Sequence, residues 1–166
     1  MKPISYNEYA RETLTGLSQG AFLTTKTNDT VNTMTIGWGA ISYMWAKPVF
    51  TVMVRQSRHT KGMIDATGEF TVSLPEGALA DAVKLCGTKS GRDTDKIAEA
   101  GLELLPPEKL ATPFIGGCTL HFECKTLYKQ EMDLALLDEA TRDRWYANGD
   151  VHTIYYGEIV GAYRAE

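Results

Sequence analysis

The chain has 166 residues, of which 43% are hydrophobic, 10% aromatic and 23% charged. This composition is close to the globular average and excludes collagen-like, coiled-coil and disordered chains. The 21 acidic residues exceed the 17 basic ones, giving a net charge of −4, so general nucleic-acid binding is a poor prediction. No apolar stretch approaches a membrane span, and the polar N-terminus predicts no secretory signal.

The length predicts a single domain over residues 1–166. Three cysteines, Cys86, Cys118 and Cys124, form no CxxC motif. Because their number is odd and their spacing irregular, a disulfide framework is not expected, and we predict a reducing, cytoplasmic environment.

The predicted elements are mainly strands, joined by hairpins as often as by short helices. In chain order they are a helix over 6–17, strands over 20–27, 31–38, 41–45 and 49–55, a helix from Ser57 to Thr67 closed by Gly68, a strand over 69–74, helices over 78–85 and 95–100, strands over 102–105 and 115–128, a helix over 134–146 and a strand over 152–163. About seven strands in this arrangement favour an antiparallel barrel with helices outside it, rather than a doubly wound parallel sheet.

Carboxylates are missing from two segments of this acidic chain, Thr30–Ile64 and Ala82–Arg92. The cationic residues in these two segments are Lys47, Arg55, Arg58, Lys61, Lys84, Lys89 and Arg92. If the segments meet in the fold, they form a local electropositive pocket, which is typical of a site for a small anionic ligand.

The first segment also has the local structure of an anion site. A predicted strand ends at Arg55, and the residues from Ser57 to Thr60 begin the next helix. Free backbone N–H groups and the helix dipole favour an anion there, and an arginine can bind a phosphate in a bidentate manner. The alternative is that Ser57 only caps the helix and the arginines are solvated.

The second segment continues into a compact loop, residues 86–96, in which two glycines would let the backbone approach a ligand closely. Its Gly-Thr-Lys-Ser order is not a P-loop, because no Gly-x-x-x-x-Gly-Lys-[Ser/Thr] pattern is present. We interpret Asp93, Asp95 and Lys96 as an internal ion-paired group that shapes this loop.

Small residues surround a tryptophan at the predicted strand end Asn32–Gly39. Gly37 and Gly39 would let a flat ring lie against the backbone there, where N–H and C=O groups can bind its edge. On its own, this pattern is more typical of a glycine bulge at a barrel corner.

Taken together, these segments resemble the flavin reductase-like family of FMN-binding split barrels, which includes the flavoredoxins. The matching segments are MTIGW at 34–38, PVFTVMVR at 48–55, SRHT at 57–60, TGEFTVSL at 67–74, GTKSGRDTDK at 87–96 and GEIV at 157–160. The resemblance extends from about Gly20 to Tyr163, and the tail from Tyr128 to Asp150 is similar to the flavoredoxin-type branch.

The resemblance implies a mainly β fold with peripheral helices, a six-stranded antiparallel split barrel that works as a homodimer with FMN near the interface. Residues Met34, Thr35, Ile36, Gly37 and Trp38 would lie along the isoalloxazine ring. The residues at the ribityl phosphate would be Arg55, Ser57, Arg58, His59 and Thr60, approached by Lys89 and Ser90.

FMN would supply the chemistry, so no catalytic side chain is expected, although His152 on the last strand could face the flavin. The three histidines, His59, His121 and His152, have no ligand-like spacing, and no metal site is expected. Because no Rossmann fingerprint is present, NAD(P)H would bind only transiently, over the flavin.

Three functions remain open from the sequence. The first is an NAD(P)H-dependent flavin reductase, and the second is a flavoredoxin-like electron carrier with tightly bound FMN and a redox-protein partner. The third is a non-catalytic module that binds another phosphate compound in the same pocket.

Overall fold

Antiparallel strands dominate the computed structural model, which describes residues 1–165. The strands are β1 (Lys2–Pro3), β2 (Ala21–Thr27), β3 (Thr30–Ile36), β4 (Gly39–Met44), β5 (Lys47–Arg55), β6 (Glu69–Pro75), β7 (Leu104–Leu105), β8 (Phe114–Ile115), β9 (Cys118–Glu131) and β10 (His152–Arg164). The helices are α1 (Ala10–Gln19), α2 (His59–Thr67), α3 (Ala80–Thr88), α4 (Lys96–Glu99) and α5 (Glu139–Trp145).

The main sheet has the strand order β3-β2-β6-β9-β10-β5-β4, with β1 paired to β10. Strands β7 and β8 form a separate two-stranded sheet. Ile36 on edge strand β3 and Ile41 on edge strand β4 pack against the same apolar core, so the sheet curls round that core as a split barrel. The predicted antiparallel fold is confirmed, with eight strands in the main sheet instead of six.

Glycines allow the two longest strands to bend round the core. The pairing of β10 with β9 shifts register between Tyr156 and Gly157 and again between Ile159 and Gly161. A Cβ on Gly157 would lie 2.5 Å from Cζ of Phe70 and 2.9 Å from Cβ of Cys124. Since no real Cβ contact is that short, the close approach of Phe70 and Cys124 to β10 requires glycine there.

Three helix boundaries differ from the sequence predictions. Helix α1 begins at Ala10 rather than Tyr6. Helix α2 begins at His59, and Ser57 does not cap it, although Gly68 ends it with a φ of +68° as predicted. The predicted helix over 134–146 is divided into a 3₁₀ turn, Leu134–Leu136, and α5.

A second apolar cluster holds α3 and α4 against the outside of the sheet. It contains Phe22 of β2, Ala82 and Cys86 of α3, and Cys118 of β9. The Thr35 hydroxyl on β3 also donates a hydrogen bond of 2.6 Å to the carbonyl of Val83. These contacts place the loop after α3 beside β3 and α2. All three cysteines are buried and unpaired.

No helix within residues 1–165 is long and apolar enough to cross a membrane.

Asp65 of α2 links the helix to the sheet through an ionic network. It accepts hydrogen bonds from Nζ of Lys61 at 2.8 Å, Nζ of Lys129 at 2.6 Å and the hydroxyl of Tyr155 at 2.9 Å. Burial opposes ionisation of the carboxyl group, but the three donors outweigh burial and lower its pKa to about 2.

We expect Asp65→Asn to remove a stabilising contribution that depends on pH. The folded-state pKa lies below the unfolded value, so the contribution is present above about pH 4 and disappears as the pH falls towards 2. The loss at pH 7 should be about 1 kcal/mol, because solvent screens the partly exposed network. Urea unfolding at pH 7 and pH 3 measures it, with exposed Asp29→Asn as the control. An equal loss of unfolding free energy at pH 7 and at pH 3 would show that the ionised Asp65 carboxylate does not stabilise the fold.

Candidate functional site

Two adjoining cavities lie where β3, β5 and the start of α2 meet. The first, which we call the aromatic cavity, has a volume of about 180 Å³ and is lined by Met34, Thr35, Ile36, Gly37, Trp38, Met53, Arg55, Arg58, Trp145 and His152. The second, the anion cleft, has a volume of about 340 Å³ and is lined by Met34, Ser57, Arg58, His59, Thr60, Thr88, Lys89, Ser90, Gly91, Arg92, Asp93 and Lys96. Met34 and Arg58 line both, so the two cavities adjoin at these side chains.

The C-terminal end of β3 provides backbone groups to the aromatic cavity. Strand β3 is an edge strand that pairs only with β2 in the main sheet. An edge strand leaves alternate N–H and C=O groups without a ladder partner. The residues Met34–Ile36 therefore offer both donors and acceptors at the cavity wall.

Aromatic side chains from three parts of the chain form the other wall. The ring of Trp38 lies 5.0 Å from the ring of Trp145, nearly perpendicular to it, and 5.3 Å from the ring of His152. Nδ1 of His152 is 2.8 Å from the hydroxyl of Tyr146. Burial, together with the charge of Arg55, lowers the pKa of His152 to about 4, so this imidazole is neutral at pH 7.

Arg55 lies in the aromatic cavity and not in the anion cleft where the sequence placed it. Its guanidinium donates to the carbonyl of Asp150 at 2.5 Å and to the carbonyl of Trp145 at 3.0 Å. It also lies 5.1 Å from the centre of the Tyr146 ring. Arg55 therefore holds the segment 145–150 over the cavity, and this segment brings Trp145 to it.

The two carboxylate-free segments meet in the anion cleft. Nη1 of Arg92 donates to the carbonyl of Ser57 at 2.8 Å. Behind this contact, Nδ2 of Asn32 donates to the hydroxyl of Thr60 at 2.8 Å. A Cβ on Gly91 would lie 2.1 Å from Oδ1 of Asn32, so only glycine allows the loop to approach β3 this closely.

Two of the predicted anion ligands are bound to carboxylates of the chain itself. Asp150 accepts hydrogen bonds from the backbone N–H of Ser57 at 3.1 Å and from its hydroxyl at 2.6 Å. Lys89 forms an ion pair with Glu99. Within residues 1–165, the side chain of Arg58 has neither a hydrogen bond nor an ion pair, which leaves its guanidinium free for a ligand.

The cations that line the anion cleft act on the imidazole of His59. Burial lowers the pKa of this imidazole, and the charges of Arg92 and Lys96 lower it further. A cation-rich cleft in a chain of net charge −4 favours an anionic ligand.

The contacts of Lys96 differ from those that the sequence predicted for the loop over residues 86–96. The expected ion pairing of Lys96 with Asp93 or Asp95 is absent from the described residues. Asp95 caps α4 instead, accepting from the backbone N–H groups of Ile97 and Ala98. The sequence reasoning also missed Trp145 and Tyr146, and no motif in the chain indicates them.

The geometry agrees with a comparison to known protein families. A family model described as a flavin reductase like domain matches residues 17–166. The chain belongs to this family. The aromatic cavity and the anion cleft of this flavin reductase like domain lie entirely within the matched residues.

Solved structures share the fold over most of the flavin reductase like domain. A flavoredoxin from Methanosarcina acetivorans is 26% identical, with a TM-score of 0.71, over 89% of this chain and 68% of that one. A flavoredoxin from Desulfovibrio vulgaris (Miyazaki F) is 24% identical, with a TM-score of 0.69, over 89% and 69%. An NADH:FAD oxidoreductase from Streptomyces globisporus is 17% identical, with a TM-score of 0.69, over 99% and 88%.

A curated relative matches a shorter part of the domain. An uncharacterized protein from Deinococcus radiodurans is 34% identical over 62 residues, which are 37% of this chain and 27% of that protein. The match spans about a quarter of that protein's length.

Proposed function

We propose that the protein is an FMN-binding flavoprotein oxidoreductase, an NAD(P)H-dependent flavin reductase. The observation that carries the proposal is the junction of the aromatic cavity with the anion cleft at Met34 and Arg58. A ligand that joins a flat ring to a phosphate through a short polar chain matches this pair of cavities. The family match supports a flavin as that ligand.

The residues present fit FMN. The free edge of β3 at Met34–Ile36 would bind the ring edge, with Gly37 and Trp38 continuing the same wall. Arg58, His59, Thr60 and Ser90 would hold the phosphate, while Ser57 and Lys89 would exchange their carboxylate partners for it. Arg55 would position the segment 145–150 beside the flavin ring and would not contact the phosphate.

Bound FMN would supply hydride and electron transfer, so this chain needs no nucleophile or acid–base pair. Its own residues bind, orient and shield the ring. Trp38 and Trp145 would cover part of the ring, and His152 adds a neutral imidazole that is fixed by Tyr146. NAD(P)H would bind transiently against the exposed face of the ring.

A flavoredoxin-like electron carrier is the second candidate. The flavoredoxin structures from Methanosarcina acetivorans and Desulfovibrio vulgaris support it. In that case FMN would be held tightly and a redox protein would be the partner. The two candidates differ in whether a nicotinamide reduces the flavin directly.

An absorbance spectrum of the purified protein, recorded before and after anaerobic NADH or NADPH, tests the proposal. We expect flavin absorbance after FMN is added and the sample desalted, and we expect a nicotinamide to bleach it. Peaks that persist with both nicotinamides would favour the electron carrier. A protein that binds no FMN and reduces no free flavin in a turnover assay would support the non-catalytic module.

We also propose a homodimer, with the second copy covering an exposed aromatic cluster. The ring of Trp45 lies 6.2 Å from Tyr128 and 6.0 Å from Tyr156. Tyr43 and Trp45 are 64% and 59% exposed, and large exposed apolar patches are typical of interfaces. Light scattering should therefore give twice the 18.3 kDa mass of a single chain.

A further inference from the structure

The segment 145–150, which we call the strap, contacts both ends of the candidate site. At one end of the strap, Trp145 lines the aromatic cavity. At the other end, the carboxylate of Asp150 accepts both hydrogen bonds of Ser57, and Ser57 lines the anion cleft. One short segment therefore limits access to both cavities.

Trp145 occupies space that a flat ligand ring needs. Its ring centre is 5.0 Å from that of Trp38, and the two rings are nearly perpendicular. Aromatic rings at this distance are in direct contact, so no third ring fits between them. The cavity volume of about 180 Å³ is also below the roughly 300 Å³ of the smallest pockets for ligands of this size. A ring that lies along Met34–Trp38 therefore requires the Trp145 side chain to move.

Arg55 connects the two ends of the strap. Its Nη1 donates to the carbonyl of Asp150 and its Nη2 to the carbonyl of Trp145. Between these carbonyls, the strap is anchored by Tyr146, which is 4% exposed and whose hydroxyl is 2.8 Å from Nδ1 of His152. A displacement of the Asp150 backbone is thus transmitted through one guanidinium to the backbone that carries Trp145.

We propose that the strap is an autoinhibitory latch that couples the two ends of the site. A phosphate that takes Ser57 from Asp150 releases the strap, and the released strap withdraws Trp145 from the aromatic cavity. The inference rests on the proposed function and deepens it, because it explains how the site favours a ligand that carries both a ring and a phosphate. Such a coupling is reciprocal, so a ring that displaces Trp145 also favours phosphate binding.

Riboflavin and inorganic phosphate test the coupling as separate halves of FMN. We expect saturating phosphate to lower the Kd of the wild type for riboflavin roughly 5- to 20-fold, with ionic strength held constant by sodium chloride. In Asp150→Ala the latch is already open. Riboflavin should therefore bind more tightly without phosphate, and phosphate should change its Kd by less than about twofold. Flavin fluorescence titration measures these constants.

Asp93→Ala is the matched control. Asp93 also lines the anion cleft, but within residues 1–165 its side chain contacts no residue of the strap through a hydrogen bond or an ion pair. This variant loses a carboxylate from the same cleft and should retain the full effect of phosphate on riboflavin. If phosphate leaves the Kd for riboflavin unchanged in the wild type, or lowers it equally in the wild type and Asp150→Ala, the latch is overturned.

Hydrogen exchange of the strap distinguishes failure of this inference from failure of the proposed function, because it needs no flavin. We expect amides 145–151 to exchange roughly 3- to 10-fold faster in Asp150→Ala than in the wild type, as for the loss of two partly exposed hydrogen bonds. Phosphate should accelerate exchange in the wild type only. If neither flavin binds but exchange follows this pattern, the latch stands and the flavin function falls. If neither phosphate nor Asp150→Ala changes exchange, the latch is wrong whatever the ligand.

Discussion

Arg58→Ala should weaken FMN binding by about 1.5–3 kcal/mol, or roughly 10- to 150-fold in Kd, as expected for hydrogen bonds to a charged group. Arg58 lines both cavities, and within residues 1–165 its side chain has no other partner. Its substitution therefore removes a contact to the ligand without breaking one within the protein. Fluorescence titration with FMN and riboflavin should show a larger loss for FMN.

Variants of two other arginines show whether the loss of FMN affinity is specific to Arg58. Arg55→Ala should weaken FMN and riboflavin alike, because Arg55 holds the backbone of Trp145 and Asp150 over the aromatic cavity. Arg11, whose side chain is 89% exposed on α1, is the neutral control. If Arg58→Ala binds FMN as tightly as Arg11→Ala does, the phosphate does not lie beside Arg58.

Glu123→Ala should lower the free energy of unfolding by about 3–5 kcal/mol, the largest effect on stability that we expect from a single polar residue. Glu123 is fully buried on β9. Oε1 accepts from the backbone N–H groups of Glu108, Lys109 and Leu110 at 2.8–3.0 Å. Oε2 accepts from the hydroxyl of Tyr163 at 2.9 Å. Alanine would leave four donors without an acceptor.

Glu123→Gln keeps one oxygen for the three backbone donors, so it should lower the free energy of unfolding by only about 1–2 kcal/mol. Glu139, whose side chain is 82% exposed on α5, provides a control that should change stability by less than about 0.5 kcal/mol when replaced by alanine. Urea unfolding measures all three variants. A loss below about 1 kcal/mol for Glu123→Ala would mean that water replaces the carboxylate in the loop.

The strands were predictable because their signals are local. The apolar strand over 49–55 and the segment 20–27 fall within two residues of β5 and β2, since apolar runs and alternation mark buried strands. The long strand predicted over 115–128 was shifted by three residues at both ends. Its C-terminal half is largely exposed and carries little apolar periodicity.

The candidate site was predictable only as far as charge and backbone chemistry determine it. The two carboxylate-free segments indicated a cationic pocket, and they do meet at the contact between Arg92 and Ser57. The position of Arg55 was not predictable, because its acceptors lie 90 and 95 residues further along the chain. Lys96 was misinterpreted because adjacent opposite charges favour pairing in sequence, whereas the helix cap engages Asp95 in the fold.

The contact between Asp150 and Ser57 means that an anion can bind Ser57 only by displacing a carboxylate of the chain. The Asp150 carboxylate already accepts hydrogen bonds from two donors of Ser57, at 3.1 and 2.6 Å. An incoming anion must therefore bind these donors more strongly than Asp150 does before Ser57 contributes to its affinity. A weakly hydrogen-bonding anion such as chloride would not displace the carboxylate, whereas a phosphate with several strong acceptors and support from nearby cations would. Selectivity among anions would thus arise from what the ligand must displace.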